Sequence, residues 1–181
     1  MTTSPARILD EFLVAAARAG DRRAFGALAG RWNGKLVAHA WRLTGDPEMA
    51  RDAAQEAWVE IVRGLPRLAD ERAFPAWACR IVSRRCAKLV GGAVRRRDIA
   101  GQVSAEPASE APEPGAAIEA GRLRAAIAGL PAGQRSAIAL FHLEEMSVAE
   151  VAVALDVPLG TVKTRLLHAR RKLRAALEGD S

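Results

Sequence analysis

The chain has 181 residues and a formal net charge of +6; half of its residues are apolar, aromatics make up only 4%, and tyrosine is absent. That length fits one ordinary domain or two small ones, and the apolar half is enough to bury a core, which excludes wholesale disorder. No apolar run approaches the roughly 20 residues of a membrane span, and the opening MTTSPARILDEF has no apolar stretch behind a basic patch, as a secretory signal would. A soluble cytoplasmic protein without direct membrane insertion is the expectation.

Val and Ile recur at helical rather than alternating spacing among Ala, Leu, Arg and Glu, so every element reads as helix. The first is expected over about Pro5–Ala19, with Ile8, Leu9, Phe12, Leu13 and Ala16 on its inward face and Gly20 as its stop. Asp21 caps a second helix carrying Phe25, Leu28, Trp32 and Val37 and ending near Gly45. Asp46-Pro47 starts a third, with Ala50, Ala53, Ala57 and Ile61 inward and Gly64 at its end. A fourth begins near Glu71–Phe74 and runs to about Val90, where Gly91-Gly92 weakens it. Trp58, Phe74 and Trp77 read as core. Cys79 and Cys86 both fall on this fourth helix. Seven residues of helix separate them by about 10.5 Å, past the roughly 7 Å limit for a disulfide, so they read as two small buried thiols.

From Asp98 to Glu119 the character changes: five acidic residues, no basic ones and three prolines. Such a stretch has too little apolar surface to fold and reads as a flexible acidic linker. The expected fold is therefore all-α: a helical domain over 1–97, a linker over 98–115, and a second small helical domain over 116–181. In that second domain helices are expected at about Ala116–Ala128 and Ala132–Glu144. Ser147-Val148-Ala149-Glu150 has the pattern of a capping box and opens a short helix ending at Leu155. Asp156-Val157-Pro158 makes a tight turn into a last helix, Leu159 to Leu177.

Three constellations bear on function. In the first, Val148, Val151, Leu155, Val157, Val162 and Leu166 recur where a helix-turn-helix needs inward residues, and Ala152 is small where two helices cross. The last helix carries Lys163, Arg165, Arg170, Arg171, Lys172 and Arg174, with no acid before Glu178. Presented by a short turn, such a helix can enter the major groove, its first turns reaching base edges while flanking cations hold phosphates. In the second, Arg80, Arg84 and Lys88 share one helix face at i, i+4 and i+8. They make either a phosphate-tracking stripe or an ordinary solvated surface. In the third, Asp52, Gln55, Glu56 and Glu60 line a polar face, either plainly exposed or a docking surface for a basic partner helix. No His, Gly-rich loop or metal-ligand spacing converges on these carboxylates, so neither an enzyme, nor a bound metal, nor a cofactor is expected.

With these residues in place the sequence resembles a bacterial RNA polymerase sigma factor of the extracytoplasmic-function group. One block is Asp52-Ala-Ala-Gln-Glu56-Ala-Trp-Val-Glu-Ile-Val-Arg63, then Leu65-Pro-Arg67, Phe74-x-x-Trp77 and Arg80-Ile81, similar to the second sigma region. The other is Leu130-Pro-x-x-Gln134-Arg135, Ser147-x-x-Glu150-Val-Ala152 and Pro158-x-Gly160-Thr-Val-Lys-Thr-Arg-Leu166, ending Ala169-Arg170, similar to the fourth. The resemblance implies a non-enzymatic factor that binds core RNA polymerase, directs it to promoter DNA, and is held by an anti-sigma factor. Asp52, Gln55 and Glu56 would meet the clamp of the beta-prime subunit, and the second domain the beta flap. Arg80, Arg84 and Lys88 would hold the non-template strand at the minus-10 element, with the Leu65–Ala73 loop taking an extruded base. Lys163, Thr164, Leu167 and His168 would lie nearest the bases of the minus-35 duplex, with Thr161 also at that interface, while Arg165, Arg170 and Arg171 face mainly phosphates. The linker would follow the polymerase's RNA-exit path.

Several positions depart from the family pattern: Arg51, Ala53-Ala54, Cys79, Arg84 and Asp156, the last at a turn position that is often Gly. Asp tolerates the left-handed conformation better than most residues, so the turn is expected to survive. The alternative is a sigma mimic that only sequesters an anti-sigma factor; such a protein has no need of a DNA-reading surface, yet the basic last helix is intact here.

Overall fold

The computed structural model describes residues 4–100 and 117–178. Eight helices follow one another: α1 Pro5–Arg18, α2 Arg22–Thr44, α3 Pro47–Gly64, α4 Phe74–Ala100, α5 Ala117–Ala128, α6 Ala132–His142, α7 Val148–Leu155 and α8 Leu159–Glu178. Two single 3-10 turns, Leu65–Arg67 and Glu71–Ala73, connect α3 to α4. Among the described residues there is no strand, so the expected all-α class holds.

The helix boundaries follow from local chemistry. The Asp21 carboxylate accepts from the backbone N–H of Arg23 and Ala24 at 2.8 and 3.1 Å, satisfying two orphan donors at the start of α2. Asp46 does the same for Met49 at 2.8 Å, with Pro47 at the first helical position of α3. Between them α2 stops at Gly45, whose φ of 71° only glycine adopts without steric cost.

Two expectations are corrected. The buried stripe of α1 is Asp10, Leu13 and Val14, while Ile8, Leu9 and Phe12 are exposed. That side carries the apolar Leu13 and Val14, and its one acid is satisfied there: Arg31 of α2 donates to the Asp10 carboxylate at 2.7 Å. Second, α4 does not end near Val90 but continues to Ala100, three residues into the expected linker. Two glycines cost a helix roughly 1 kcal/mol each. That is too little to stop one that is already propagating through Ala93 and the residues beyond it. The rest of the expected linker, 101–115, lies outside the described residues.

α3 turns Ala50, Ala53, Ala54, Ala57 and Ile61 inward, and its small residues let α2 and α4 approach closely around Leu28, Trp32, Leu36 and Phe74. Trp32 and Phe74 meet edge-on at 5.5 Å. Gly64 is where it is because Trp77 lies over it: a Cβ there would sit 2.7 Å from the indole. The thiols of Cys79 and Cys86 are free and buried, as expected, and burial pushes both up to about 12.

The second half of the chain packs onto the first. α7 lies along α4 and α6 against α2, so Leu140, Met146, Val151 and Val162 join the same continuous core. Arg135 of α6 fastens this contact. Its guanidinium donates to the carbonyl of Arg42 in the last turn of α2, at 2.8 and 3.2 Å, and to that of Ala128 at the end of α5, at 2.8 Å. One side chain thereby satisfies orphan carbonyls on two helix termini.

His39 is buried in α2 with its Nε2 2.9 Å from the Ser83 hydroxyl. Burial first, and then the nearby Arg42 charge, push its imidazole from 6.5 down to about 3. The unfolded chain takes up a proton near 6.5 and the folded one does not, so the unfolded state binds more protons between those values. The stability that neutral His39 contributes is complete above about pH 6.5 and declines as pH falls toward 3, by ~1.4 kcal/mol per unit. Denaturant unfolding at pH 7 and pH 5 should show the native chain losing about 2 kcal/mol more than His39→Gln loses over the same interval. Equal losses would mean that another group is responsible.

Candidate nucleic-acid interface

The helix-turn-helix is built from α7, the turn 156–158 and α8. At its start Ser147 and Glu150 cap each other: Glu150 N–H donates to the Ser147 hydroxyl at 3.2 Å, and Ser147 N–H to the Glu150 carboxylate at 2.7 Å. At its end Asp156 takes φ 54° and ψ 46°, the left-handed conformation expected for it, and its N–H closes the last turn of α7 on the Ala152 and Val153 carbonyls. That reversal sets the angle at which α8 leaves. Val162, Leu166 and Ala169 of α8 are buried against Val151, Ala154 and Leu155 of α7 and Leu140 of α6.

With those three positions inward, the opposite side of α8 is committed to solvent. Lys163, Thr164, Leu167, His168, Arg170 and Arg171 are exposed, and Thr161 is half-buried. Leu167 is 56% exposed, an apolar side chain among cations that suits contact with a thymine methyl. The Thr164 hydroxyl donates to the Gly160 carbonyl at 3.0 Å, leaving its oxygen to act as an acceptor. Two of the expected side chains are also drawn to α6. The Arg165 guanidinium lies over Gly133, where a Cβ would come within 2.9 Å of it, and Arg170 stacks on the Phe141 ring at 5.5 Å. Packing therefore fixes where these two cations sit.

The second basic row lies on α4. Arg80 and Arg84, one turn apart, both donate to the carboxylate of Asp156: Arg80 to Oδ1 at 2.9 Å from Nη2, and Arg84 to Oδ2 at 3.1 Å. Hydrogen bonds from Arg84 and Arg80 hold the Asp156 carboxyl below the usual carboxylate range. Lys88, one turn further, is exposed. Between the arginines, the Ser83 hydroxyl donates to the Ala154 carbonyl at 2.7 Å. The expected minus-10 residues and the expected minus-35 module are thus brought face to face, which no spacing in the sequence had indicated.

On α3, Asp52 and Gln55 are exposed, whereas Glu56 is engaged: Arg85 donates to Glu56 at 3.2 Å and to Glu60 at 2.6 Å. Those carboxylates, Glu60 foremost, raise the Arg85 guanidinium. Along the same stripe stand Val59 and Val62, 50% and 52% exposed. They were missed in the sequence, although the signal was there: from Asp52 they fall at i+7 and i+10, while Ala and Ile already fill the inward positions. In the connection to α4, Leu65 and Leu68 turn inward, and Asp70 accepts from the Arg72 backbone at 2.9 Å, ordering the loop expected to receive a base.

Residues 28–97 match the family model described as Sigma-70 region 2, and residues 120–173 that described as Sigma-70, region 4. The RNA polymerase sigma-H factor of Pseudomonas aeruginosa is 32% identical over 93% of this chain and 94% of its own length. The ECF RNA polymerase sigma-E factor of Escherichia coli (strain K12) is 30% identical over 92% of this chain and 93% of its own. Among solved structures, that of CnrH in complex with the cytosolic domain of CnrY is similar, with a TM-score of 0.60 and 31% identity, covering 96% of this chain and 99% of that one.

The capping box is the local device that starts α7, and it can be tested by itself. Ser147→Ala leaves the Glu150 amide without its acceptor and should lower the unfolding free energy by about 1 kcal/mol in thermal or denaturant melts. Ser147→Asp, which keeps an acceptor at the same place, should restore most of it. An unchanged midpoint for Ser147→Ala would remove the capping account.

Proposed function

The chain belongs to the extracytoplasmic-function group of the sigma-70 family, and from that membership we propose how its residues divide the work. It is a sigma factor: it binds core RNA polymerase, directs it to promoters and is controlled by an anti-sigma factor. It is not an enzyme. The observation that carries the residue-level reading is the pairing, in one chain, of an outward basic face on α8 with a basic row on α4. Two such surfaces suit two separated elements of one promoter.

In this reading residues 116–181 dock on duplex DNA at the minus-35 element. The N-terminal turns of α8 enter the major groove, where Lys163, Thr164, Leu167 and His168 meet base edges. A Lys ammonium donates to guanine O6 and N7, and Leu167 meets a thymine methyl. Thr161, Arg165, Arg170 and Arg171 hold the flanking phosphates, which fix register without reading sequence. This half also meets the beta flap of the polymerase.

Residues 1–97 bind the clamp of the beta-prime subunit and hold the opened strand. The α3 stripe supplies the clamp contact: Asp52, Gln55 and Glu56 as polar partners, with Val59 and Val62 adding the apolar contact that charges alone lack. Arg80, Arg84 and Lys88 track the phosphates of the non-template strand at the minus-10 element, and the 65–73 loop receives an extruded base. Unstacking that base costs a few kcal/mol, which backbone contacts and the pocket must offset. With aromatics so scarce, stacking contributes little, and opening depends on a close match to the preferred sequence. The acidic residues of 98–115 lie along the RNA-exit path, where negative charge mimics nucleic acid.

Among the described residues no helix is long and apolar enough to cross a membrane. We place the protein in the cytoplasm, where the polymerase works. A similar solved protein is bound by the cytosolic domain of a second one, which supports an anti-sigma partner acting on the same side.

Run-off transcription with core polymerase on a cognate promoter tests the reading. A discrete transcript supports it; core binding without any initiation would instead make the chain a mimic that sequesters an anti-sigma factor. Lys163→Ala should weaken minus-35 duplex binding by roughly 1–3 kcal/mol and leave core binding unchanged. Equal loss of both would sink the division of labour. Arg171→Ala should reduce the slope of log K against log salt by about one, with little change in sequence preference.

A further inference from the structure

The carboxylate of Asp156 occupies Arg80 and Arg84 in the way a strand phosphate would. It presents two oxygens, and each is taken by a different guanidinium, Oδ1 by Arg80 at 2.9 Å and Oδ2 by Arg84 at 3.1 Å. Carboxylate and phosphate are the two anions that arginine's planar fork matches. The residue is held for this: it caps α7 in the left-handed conformation, so its side chain projects from the turn toward α4. The Ser83–Ala154 hydrogen bond at 2.7 Å lies beside it and fixes the register of α7 on α4.

Two further ion pairs between the two halves have the same character. Lys35 pairs with Glu144 at 2.7 Å and Arg7 with Glu150 at 3.0 Å, a cation of the first half meeting an acid of the second each time. The Asp156 pairs are partly solvated, with side-chain exposures of 39% for Arg80, 57% for Arg84 and 41% for Asp156. Such bridges are individually weak and screened by salt, so a polyanion can compete for the arginines. The outward face of α8, by contrast, stays exposed while these contacts are made. In this arrangement the duplex-reading residues pair with no acid among the described residues, and two of the three strand-holding residues already share a carboxylate.

We propose that Asp156 is a built-in plug: its carboxylate stands in for a backbone phosphate on Arg80 and Arg84, so the closed chain holds unpaired DNA more weakly than it does once α7 and α8 move off α4. This rests on the reading of Arg80 and Arg84 as strand-holding residues. The plug restrains the minus-10 function and leaves the minus-35 function alone. Single strands are therefore engaged more tightly once the two halves separate, and a partner that stabilises the α4–α7 contact prolongs the restraint.

The test uses the full chain and a fluorescein-labelled oligodeoxythymidine, because backbone contacts do not depend on sequence. Two variants keep the left-handed turn while removing the charge: D156N and D156G. Both should bind the strand about threefold to tenfold more tightly than the native chain at low salt, and bind a promoter duplex with unchanged affinity. In the D156G background Arg84→Ala should cancel most of the gain. If D156N and D156G leave strand affinity unchanged while Arg84→Ala lowers it, the plug is overturned and the strand-holding reading survives. If Arg84→Ala has no effect in either background, that reading fails and takes the plug with it.

Discussion

Asp156 carries a backbone φ of 54°, and three features of the molecule depend on that one left-handed residue. The reversal closes α7 on its own carbonyls and sets the direction of α8. It thereby fixes which positions of α8 are buried, Val162, Leu166 and Ala169, and which face outward. It also aims the only charged group of the turn at α4, where Arg80 and Arg84 wait. Glycine at this position would adopt the same backbone without strain. An aspartate there accepts some conformational cost and adds an anion, and the anion links the DNA-reading module to the rest of the chain.

The net charge of +6 conceals this arrangement. Cations cluster on α4 and α8, and acids on α3, on the 98–119 stretch and at the helix ends that face the first half. Within the closed chain, opposite charges meet between the halves at three places: Lys35 with Glu144, Arg7 with Glu150, and two arginines with Asp156. The same cations that suit phosphate also suit these carboxylates. A protein that grips a polyanion at two places can keep one grip covered only by supplying an anion of its own, and that is the chemistry present at the turn.

Local features were legible in the sequence because their causes are local. Asp21, Asp46 and Ser147 announced helix starts through side chains that reach amides two or three residues on, and the spacing of Val151, Leu155, Val162 and Leu166 announced the helix-turn-helix. The left-handed turn at Asp156 was also foreseeable, since few residue types tolerate it. Most of the differences have a non-local cause. The buried side of α1 includes Asp10, whose partner Arg31 lies on another helix and so leaves no mark in the local pattern. α4 outran its expected end because propagation through two glycines is cheap once a helix is packed. Arg165 and Arg170 were read as mainly phosphate contacts, and the seats that Gly133 and Phe141 on α6 give them are ones that periodicity on α8 cannot reveal. Val59 and Val62 are the exception: their spacing from Asp52 is local, and the carboxylates around them give the stripe a polar look. The docking of α7 on α4 joins residues more than 70 positions apart and leaves no mark in the local pattern.

The central claim is that one chain engages duplex DNA with α8 and unpaired DNA with α4 in the same complex. Permanganate footprinting of the full chain with core polymerase on a cognate promoter addresses both at once, when combined with protection from nuclease. Protection across the minus-35 duplex together with reactive, unpaired thymines at the minus-10 element is the predicted result. Protection at minus-35 with no unpaired thymines under any condition that supports core binding would contradict the account.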